Sequence, residues 1–248
     1  MNKQYIEPET NEVIGVQFSI MGPDEIRKRS VVEVVRHETY DKDTPIIKGL
    51  FDIRMGTTEM HKCCGTCGQN NINCPGHFGH MELAKPIYHY QFITIIQKLL
   101  KCVCIQCSKL LINKESSKIK DIMKKSNKYR WGEIYNQCQK VKRCGQCSED
   151  GCGAKQPDKI KVEGMDGIYA IWDKLDIEDK SIHTQKLSVE MVKSIFERIT
   201  DEDINILGFS DVWSRPEWLI CTVFPIPPPS VRPSVKQDDS QRMDDDIT

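Results

Sequence analysis

Residues 64–77 read Cys64-Gly65-Thr66-Cys67-Gly68-Gln69-Asn70-Asn71-Ile72-Asn73-Cys74-Pro75-Gly76-His77. A Cys-x2-Cys pair and a Cys-x2-His pair stand six residues apart. A CxxC turn lets two thiolates reach one tetrahedral ion at about 2.3 Å, and a second short pair completes the coordination. A redox CxxC needs only one pair and sits at a helix start in a βαβ unit. A catalytic zinc keeps one coordination position open. Four good donors therefore point to a closed structural zinc site made of Cys64, Cys67, Cys74 and His77. Cys63 competes with Cys64, but only Cys64 has x2 spacing to Cys67. His80 fits two readings, a support for the ligands or an ordinary surface or core histidine.

A second site opens at Cys104-x2-Cys107. Its partners lie within 138–152, which offers Cys138, Cys144, Cys147 and Cys152. The long connection is no obstacle, because loop-closure entropy grows only logarithmically with length. Cys144-x2-Cys147 is the plain spacing choice, and Cys152, followed by Gly153, is its rival. Cys102, Cys138 and Cys221 read as small buried hydrophobes.

Around these clusters lies a chain of 248 residues with 12 cysteines, 39% hydrophobic and 29% charged, with net charge -1. That length suits one large or two small domains and buries a core without disulfides. The composition excludes a collagen, a membrane protein and a wholly disordered chain. The polar, acidic start (MNKQYIEPETNEV) is no signal peptide. The expected setting is a reducing compartment, where thiols serve metals rather than disulfides.

The near-zero net charge hides an asymmetry. Residues 98–143 hold 13 Lys and Arg against 3 Asp and Glu. Such a basic insert suits nucleic-acid phosphates and equally suits a solvated helix face. No basic-aromatic interleaving or groove-reading helix is evident, so sequence-specific readout is not expected.

Residues 1–12 form a polar tail, followed by a short apolar alternation from Val13 to Phe18. Gly22-Pro23-Asp24-Glu25 starts a helix that ends near Ser30. Val31 to Val35 reads as a strand, and Lys85-Pro86 as a loop with a helix starting two residues later. Phe92, Ile95, Ile96, Leu99 and Leu100 line one face of that helix. Residues 115–140 form a helix or helix pair. Residues 160–162 and 168–172 pair as strands. Ser188 caps a helix over 189–199, and Leu187 staples onto Val192. Thr200 with Asp203 opens a second short helix closed by Gly208. Residues 225–234 favour polyproline.

Five separate stretches carry a family resemblance. They are Val16-Gln17-Phe18-Ser19-Ile20 with Pro23-Asp24-Glu25-Ile26; Cys74-Pro75-Gly76-His77-Phe78-Gly79-His80 through Lys85-Pro86; Cys104-x2-Cys107-x-Lys109-Leu110-Leu111; Gly151-Cys152-Gly153-x2-Gln156-Pro157; and Gly208-Phe209 with Ser214-Arg215-Pro216-Glu217-Trp218 and Pro225-x-Pro227-Pro228-Pro229-x-Val231-Arg232-Pro233. In this order they resemble the N-terminal part of the largest subunit of multisubunit DNA-directed RNA polymerases, closest to the polymerase II type.

The resemblance implies an α+β fold, an irregular clamp of helices and short strands stapled by two structural zinc ions. It divides the chain into a tail (1–12), a clamp-core part with the first zinc (13–100) and a clamp head with the second zinc and basic insert (101–172). A helical return (173–224) and a Pro-rich, lid-like segment (225–248) follow. It supports Cys64, Cys67, Cys74 and His77 in one site and Cys104, Cys107 and Cys152 in the other. The fourth ligand departs from the animal and fungal pattern, since the insert is short and two cysteines precede Cys152. Aligning Lys142-Arg143-Cys144 favours Cys144, with Cys147 left open.

The resemblance also implies a function. The clamp closes over template DNA and the RNA–DNA hybrid, in an assembly with other polymerase subunits and transcription factors and with no membrane. Arg232, Lys236 and Arg242, in the lid-like stretch, would meet phosphates; ordinary loop solvation suits them equally. The location would be the nucleus in a eukaryote, or the virion or host cytoplasm or nucleus for a large DNA virus. The family's magnesium-binding Asn-Ala-Asp-Phe-Asp-Gly-Asp motif does not occur in these residues, so magnesium is expected only in the complete polymerase. Asp244-Asp245-Asp246 reads as a solvated acidic loop, because consecutive residues cannot all face one ion. The chain is expected to be a fragment, a split-gene product or a truncated frame, inactive alone. The competing readings are a free zinc-stapled module that binds nucleic acid or protein, and a zinc hydrolase.

Overall fold

A computed structural model describes residues 12–147, 150–164, 167–173, 183–238 and 241–248. The expected tail before residue 12 and the start of the helical return, 174–182, lie outside the described residues. In chain order the helices are α1 (Pro23–Arg29), α2 (Ile93–Cys102), α3 (Ser117–Met123), α4 (Asn127–Cys138), α5 (Val189–Glu197) and α6 (Asp201–Leu207). The strands are β1 (Tyr40–Asp41), β2 (Thr44–Pro45), β3 (Gly79–Tyr88), β4 (Lys159–Glu163), β5 (Gly167–Trp172), β6 (His183–Leu187), β7 (Ile220–Ile226), β8 (Val235–Asp238) and β9 (Gln241–Met243). Among the described residues no helix is long and apolar enough to cross a membrane.

The larger core runs from Ile96 on α2 to Ile220 on β7. Helix α2 buries Ile96, Leu99 and Leu100, the spacing of one helical face. Helix α5 buries Val192, Ile195 and Phe196. Its N-cap is built as the sequence predicts, with Ser188 Oγ accepting from the Met191 N–H at 3.2 Å. Thr200 Oγ1 accepts from the Asp203 N–H at 3.3 Å, and Gly208 ends α6 in the left-handed region. Residues 115–140 resolve into the pair α3 and α4.

The antiparallel sheet β4-β5-β6 lies over α2. Ile168, Ala170 and Trp172 alternate inward along β5, as a half-buried strand requires. The sequence predicts β4 and β5 but not β6, whose only buried residue is Leu187. Four of its five residues face solvent, so it carries no alternation to detect.

The second sheet overturns a local reading. Lys85-Pro86 is not a loop; both residues lie within β3, which pairs antiparallel with β7 from Gly79↔Ile226 to Tyr88↔Ile220. The register shifts between Glu82 and Ile87. A proline lacks the N–H a regular ladder needs, and such an irregularity tolerates it. Helix α2 therefore starts later than expected, after a 3-10 turn at Tyr90–Phe92. Pro225 and Ile226 belong to β7 rather than to a polyproline segment. Val31 to Val35 is extended but joins β3 only by the parallel bridge Glu33↔His80. Val32, Val34, Met55 and Ile226 form a small second core beneath it. The alternation from Val13 to Phe18 forms no strand, and Val13, Ile14, Val16 and Phe18 are exposed.

Candidate metal centres

The first cysteine turn closes by two backbone hydrogen bonds. Gly68 N–H donates to Cys64 O at 2.9 Å, and Cys64 N–H donates to Gln69 O at 2.8 Å. The turn needs a left-handed residue after Cys67, and Gly68 supplies φ 69°, which glycine adopts without steric cost. The second turn forms where Cys74 N–H donates to Asn70 O at 3.0 Å. At Gly76, φ is 80° and an added Cβ would lie 2.7 Å from Pro228. That close approach seats the Pro-rich segment against the turn.

One 3-10 turn, Ile53–Met55, anchors both halves. Gly65 N–H donates to Ile53 O at 3.0 Å and His77 N–H to Met55 O at 2.9 Å. Asp52, 2% exposed, stiffens that turn by accepting from the Lys48 and Arg54 N–H groups and the Arg54 guanidinium. Burial opposes its charge, but these bonds hold its carboxyl below the ordinary range. As a result the donor atoms of Cys64, Cys67, Cys74 and His77 lie within 4.8 Å of one another.

The second centre starts where α2 ends. Ser108 N–H donates to Cys104 O and Cys104 N–H to Lys109 O, both at 2.9 Å. This is the same pair of bonds as in the first centre. The facing half is a narrow hairpin with the antiparallel bridge Arg143↔Lys155. Cys144 N–H donates to Ala154 O at 2.9 Å, and Gly153 N–H to Cys144 O at 3.1 Å. The donor atoms of Cys104, Cys107, Cys144 and Cys152 again lie within 4.8 Å of one another. The structure brings Cys144 to this group, while Cys147 is exposed and outside it. Cys63 is likewise exposed and outside the first group.

The distances suit a tetrahedral cation. Bonds of about 2.3 Å to zinc place thiolate sulfurs about 3.8 Å apart. Here Cys67 and Cys74 sulfurs are 3.6 Å apart, and the Cys104–Cys152 and Cys107–Cys144 pairs are each at 3.5 Å. His77 Nε2 is buried without a hydrogen-bond partner among the described residues. Burial pushes the Cys64 thiol up, but hydrogen bonds from the Cys67 and Thr66 backbone N–H groups bring it below its ordinary value. Burial drives Cys74 up to about 11 and Cys144 up to about 12. Cys107 goes the other way, to about 7; burial raises it, and the Lys109 N–H with neighbouring thiols outweighs that. Four crowded thiols cannot all ionise without a compensating cation. Both groups are chemically able to hold one.

Of the remaining cysteines, Cys102 and Cys138 are buried in the core and Cys221 is half-buried. His80 Nδ1 lies 2.7 Å from Ser30 Oγ, and His80 is not in the first donor group.

Of the three basic residues expected to meet phosphates, Arg232 and Arg242 make contacts within the chain. Arg232 is 1% exposed. Its Nε donates to Pro227 O at 2.9 Å, its Nη2 donates to Leu50 O, and its guanidinium covers the Phe51 ring. Burial lowers its pKa, but an arginine stays charged. This guanidinium is buried against Pro227, Leu50 and Phe51 and ties those segments together. Arg242 covers the Tyr40 ring at 3.7 Å and pairs with Glu59 at 3.4 Å. The side chain of Lys236 lies outside the described residues.

The basic insert is partly spent on the fold too. Lys114 pairs with Asp203 at 2.7 Å, Lys124 with Asp121 at 2.9 Å, and Lys125 with Glu133. Arg130 donates to the Met123 and Asn205 carbonyls. Lys118, Lys120, Lys128 and Lys140 are exposed.

Sequence reasoning missed Gln156 as a site residue. It is 6% exposed, and its Nε2 lies 3.2 Å from Cys104 Sγ. Its only sequence signal is its place in the motif beginning at Gly151.

The family model described as RNA polymerase Rpb1, domain 1, matches residues 10–248. The chain is 39% identical over 242 residues to the DNA-directed RNA polymerase II subunit RPB1 of Euplotoides octocarinatus, covering 94% of this chain and 50% of that relative. The chain thus spans half the length of that relative.

Proposed function

The chain belongs to the Rpb1 family of RNA polymerase largest subunits, in its domain 1 region, and from that premise we propose that it is the clamp portion of a DNA-directed RNA polymerase. The observation that carries this reading is the family match across residues 10–248. In this reading the chain contributes to a nucleotidyltransferase and holds template DNA and the RNA–DNA hybrid, while the reaction itself belongs to the complete assembly. Its partners are other polymerase subunits and transcription factors. Similarity to a polymerase II subunit supports a nuclear location in a eukaryote.

The two donor groups would each hold a structural zinc ion, through Cys64, Cys67, Cys74 and His77 and through Cys104, Cys107, Cys144 and Cys152. A structural zinc converts a loop too short of apolar residues to pack into a rigid body. Such rigidity suits an element that must keep its shape while it closes on nucleic acid. Phosphate contact falls to exposed lysines such as Lys118, Lys120 and Lys128 rather than to Arg232.

The test is purification of the tagged chain from its own cells, followed by RNA synthesis on a DNA template with magnesium. Co-migration with template-dependent ribonucleotide incorporation is expected. A chain recovered with no such activity in any fraction would favour a free zinc-stapled binding module.

A further inference from the structure

Gln156 joins the two halves of the second centre through one side chain. Its backbone N–H donates to Lys142 O at 2.8 Å, which fixes it to the hairpin carrying Cys144 and Cys152. Its Nε2 donates to Ala154 O at 3.0 Å and to Cys104 Sγ at 3.2 Å. Its Oε1 faces the Ile105 N–H at 3.4 Å, within the opposite cysteine turn. The amide orientation is fixed by chemistry. A flipped amide would aim its oxygen at a sulfur and a carbonyl, two acceptors, and leave the Ile105 donor facing an NH2 group. At 6% exposure, no bulk water would relieve that conflict.

We propose that Gln156 is a positioning residue for a metal ion in the second centre, holding Cys104 Sγ by an N–H···S hydrogen bond that sets the thiolate's orientation and its electron density. The inference rests on the reading that Cys104, Cys107, Cys144 and Cys152 bind a divalent cation. Four thiolates on one divalent ion leave two excess negative charges, and a hydrogen bond to a ligand atom draws part of that charge away. Groups that hydrogen-bond to metal ligands commonly contribute about 10- to 100-fold in metal affinity. Asparagine would be one methylene too short to reach both Cys104 Sγ and the Ile105 N–H.

Cadmium-113 loaded into the full chain provides the readout. Two resonances are expected, one for the group with a histidine ligand and one for the all-cysteine group. Gln156→Met keeps the side chain's length and removes the amide. It should shift the all-cysteine resonance, leave the other in place, and weaken cadmium retention at that centre about 10- to 100-fold against a chelator. Weakened retention with an unmoved all-cysteine resonance would reduce Gln156 to a cross-link and overturn the proposal. The wild-type chain gives an independent measurement that does not depend on the variant folding. A scalar coupling from cadmium across the sulfur to the Gln156 side-chain amide proton is expected, and its absence overturns the proposal. A wild-type chain with no all-cysteine resonance would instead remove the metal reading itself.

Discussion

Gly68 and Ser108 occupy the same place in two separate turns, each following the second cysteine of a CxxC and each left-handed, with φ 69° and 61°. Each donates its N–H to the carbonyl of the first cysteine at 2.9 Å. Glycine meets this conformation freely, while a residue with a Cβ is disfavoured there by roughly 1–2 kcal/mol. Ser108 carries a second cost, since its Oγ is buried without a hydrogen-bond partner among the described residues. Ser108→Gly should therefore raise thermal stability of the metal-loaded chain by about 1 kcal/mol, after glycine's greater unfolded-state entropy is offset. Gly68→Ala should lower it by a similar amount. Calorimetry on both variants checks the pair, and a destabilised Ser108→Gly would show that the serine side chain contributes to the turn.

Metal content separates the competing cysteines of the first centre. Cys67 Sγ stands 3.6 Å from Cys74 Sγ, whereas Cys63 is exposed and outside the donor group. Cys67→Ser should lose one of two zinc ions, and Cys63→Ser should retain both. Atomic emission on the purified variants distinguishes them; equal losses would refute the ligand assignment.

Removal of metal should unfold the chain rather than only silence it. Structural zinc is coupled to folding, and the loop over residues 56–78 has few buried apolar side chains of its own. A strong chelator should abolish the near-ultraviolet circular dichroism, and zinc should restore it. Lower pH should also release the metal, because protons compete with it for the thiolates. A chain with unchanged structure after complete zinc removal would exclude the stapling role.

Arg232→Met should destabilise the fold by about 2–4 kcal/mol. That range follows from losing two hydrogen bonds of a charged donor, each worth roughly 1.5–3 kcal/mol, offset by methionine packing on Phe51. The salt dependence of DNA binding should stay as it was. Urea titration measures the first effect, and a changed salt slope at unchanged stability would restore the phosphate role.

The lysines of α3 and α4 carry the opposite expectation. Replacing Lys118, Lys120 and Lys128 together by Gln should leave stability within about 0.5 kcal/mol, as for ordinary surface positions. Duplex DNA binding should weaken and its log–log salt slope should flatten by up to about 2.7 for three lost phosphate contacts. Fluorescence anisotropy across a salt series tests this. An unchanged slope would return the stretch to a solvated helix face.

What short-range chemistry controls can be read directly from neighbouring residues. The spacing of Cys64, Cys67, Cys74 and His77 marks a donor group, because each turn closes through bonds to residues four or five positions away. The cap at Ser188, the helix α5 that follows it and the strand β5 are legible for the same reason. The rest depends on contacts between segments far apart in the chain. Gly79 pairs with Ile226 across most of the chain, and no local signal in Lys85-Pro86 announces a strand completed by so distant a partner. Cys144 joins the second group rather than Cys147 because the bridge between Arg143 and Lys155 brings the first of them beside Cys107. Arg232 reads as a free cation in a loop until Leu50, Phe51 and Pro227 close around it. Local hydrogen bonding and periodicity are written in neighbouring residues. The partner that buries a charge, or pairs with a strand edge, exists only once distant segments have come together.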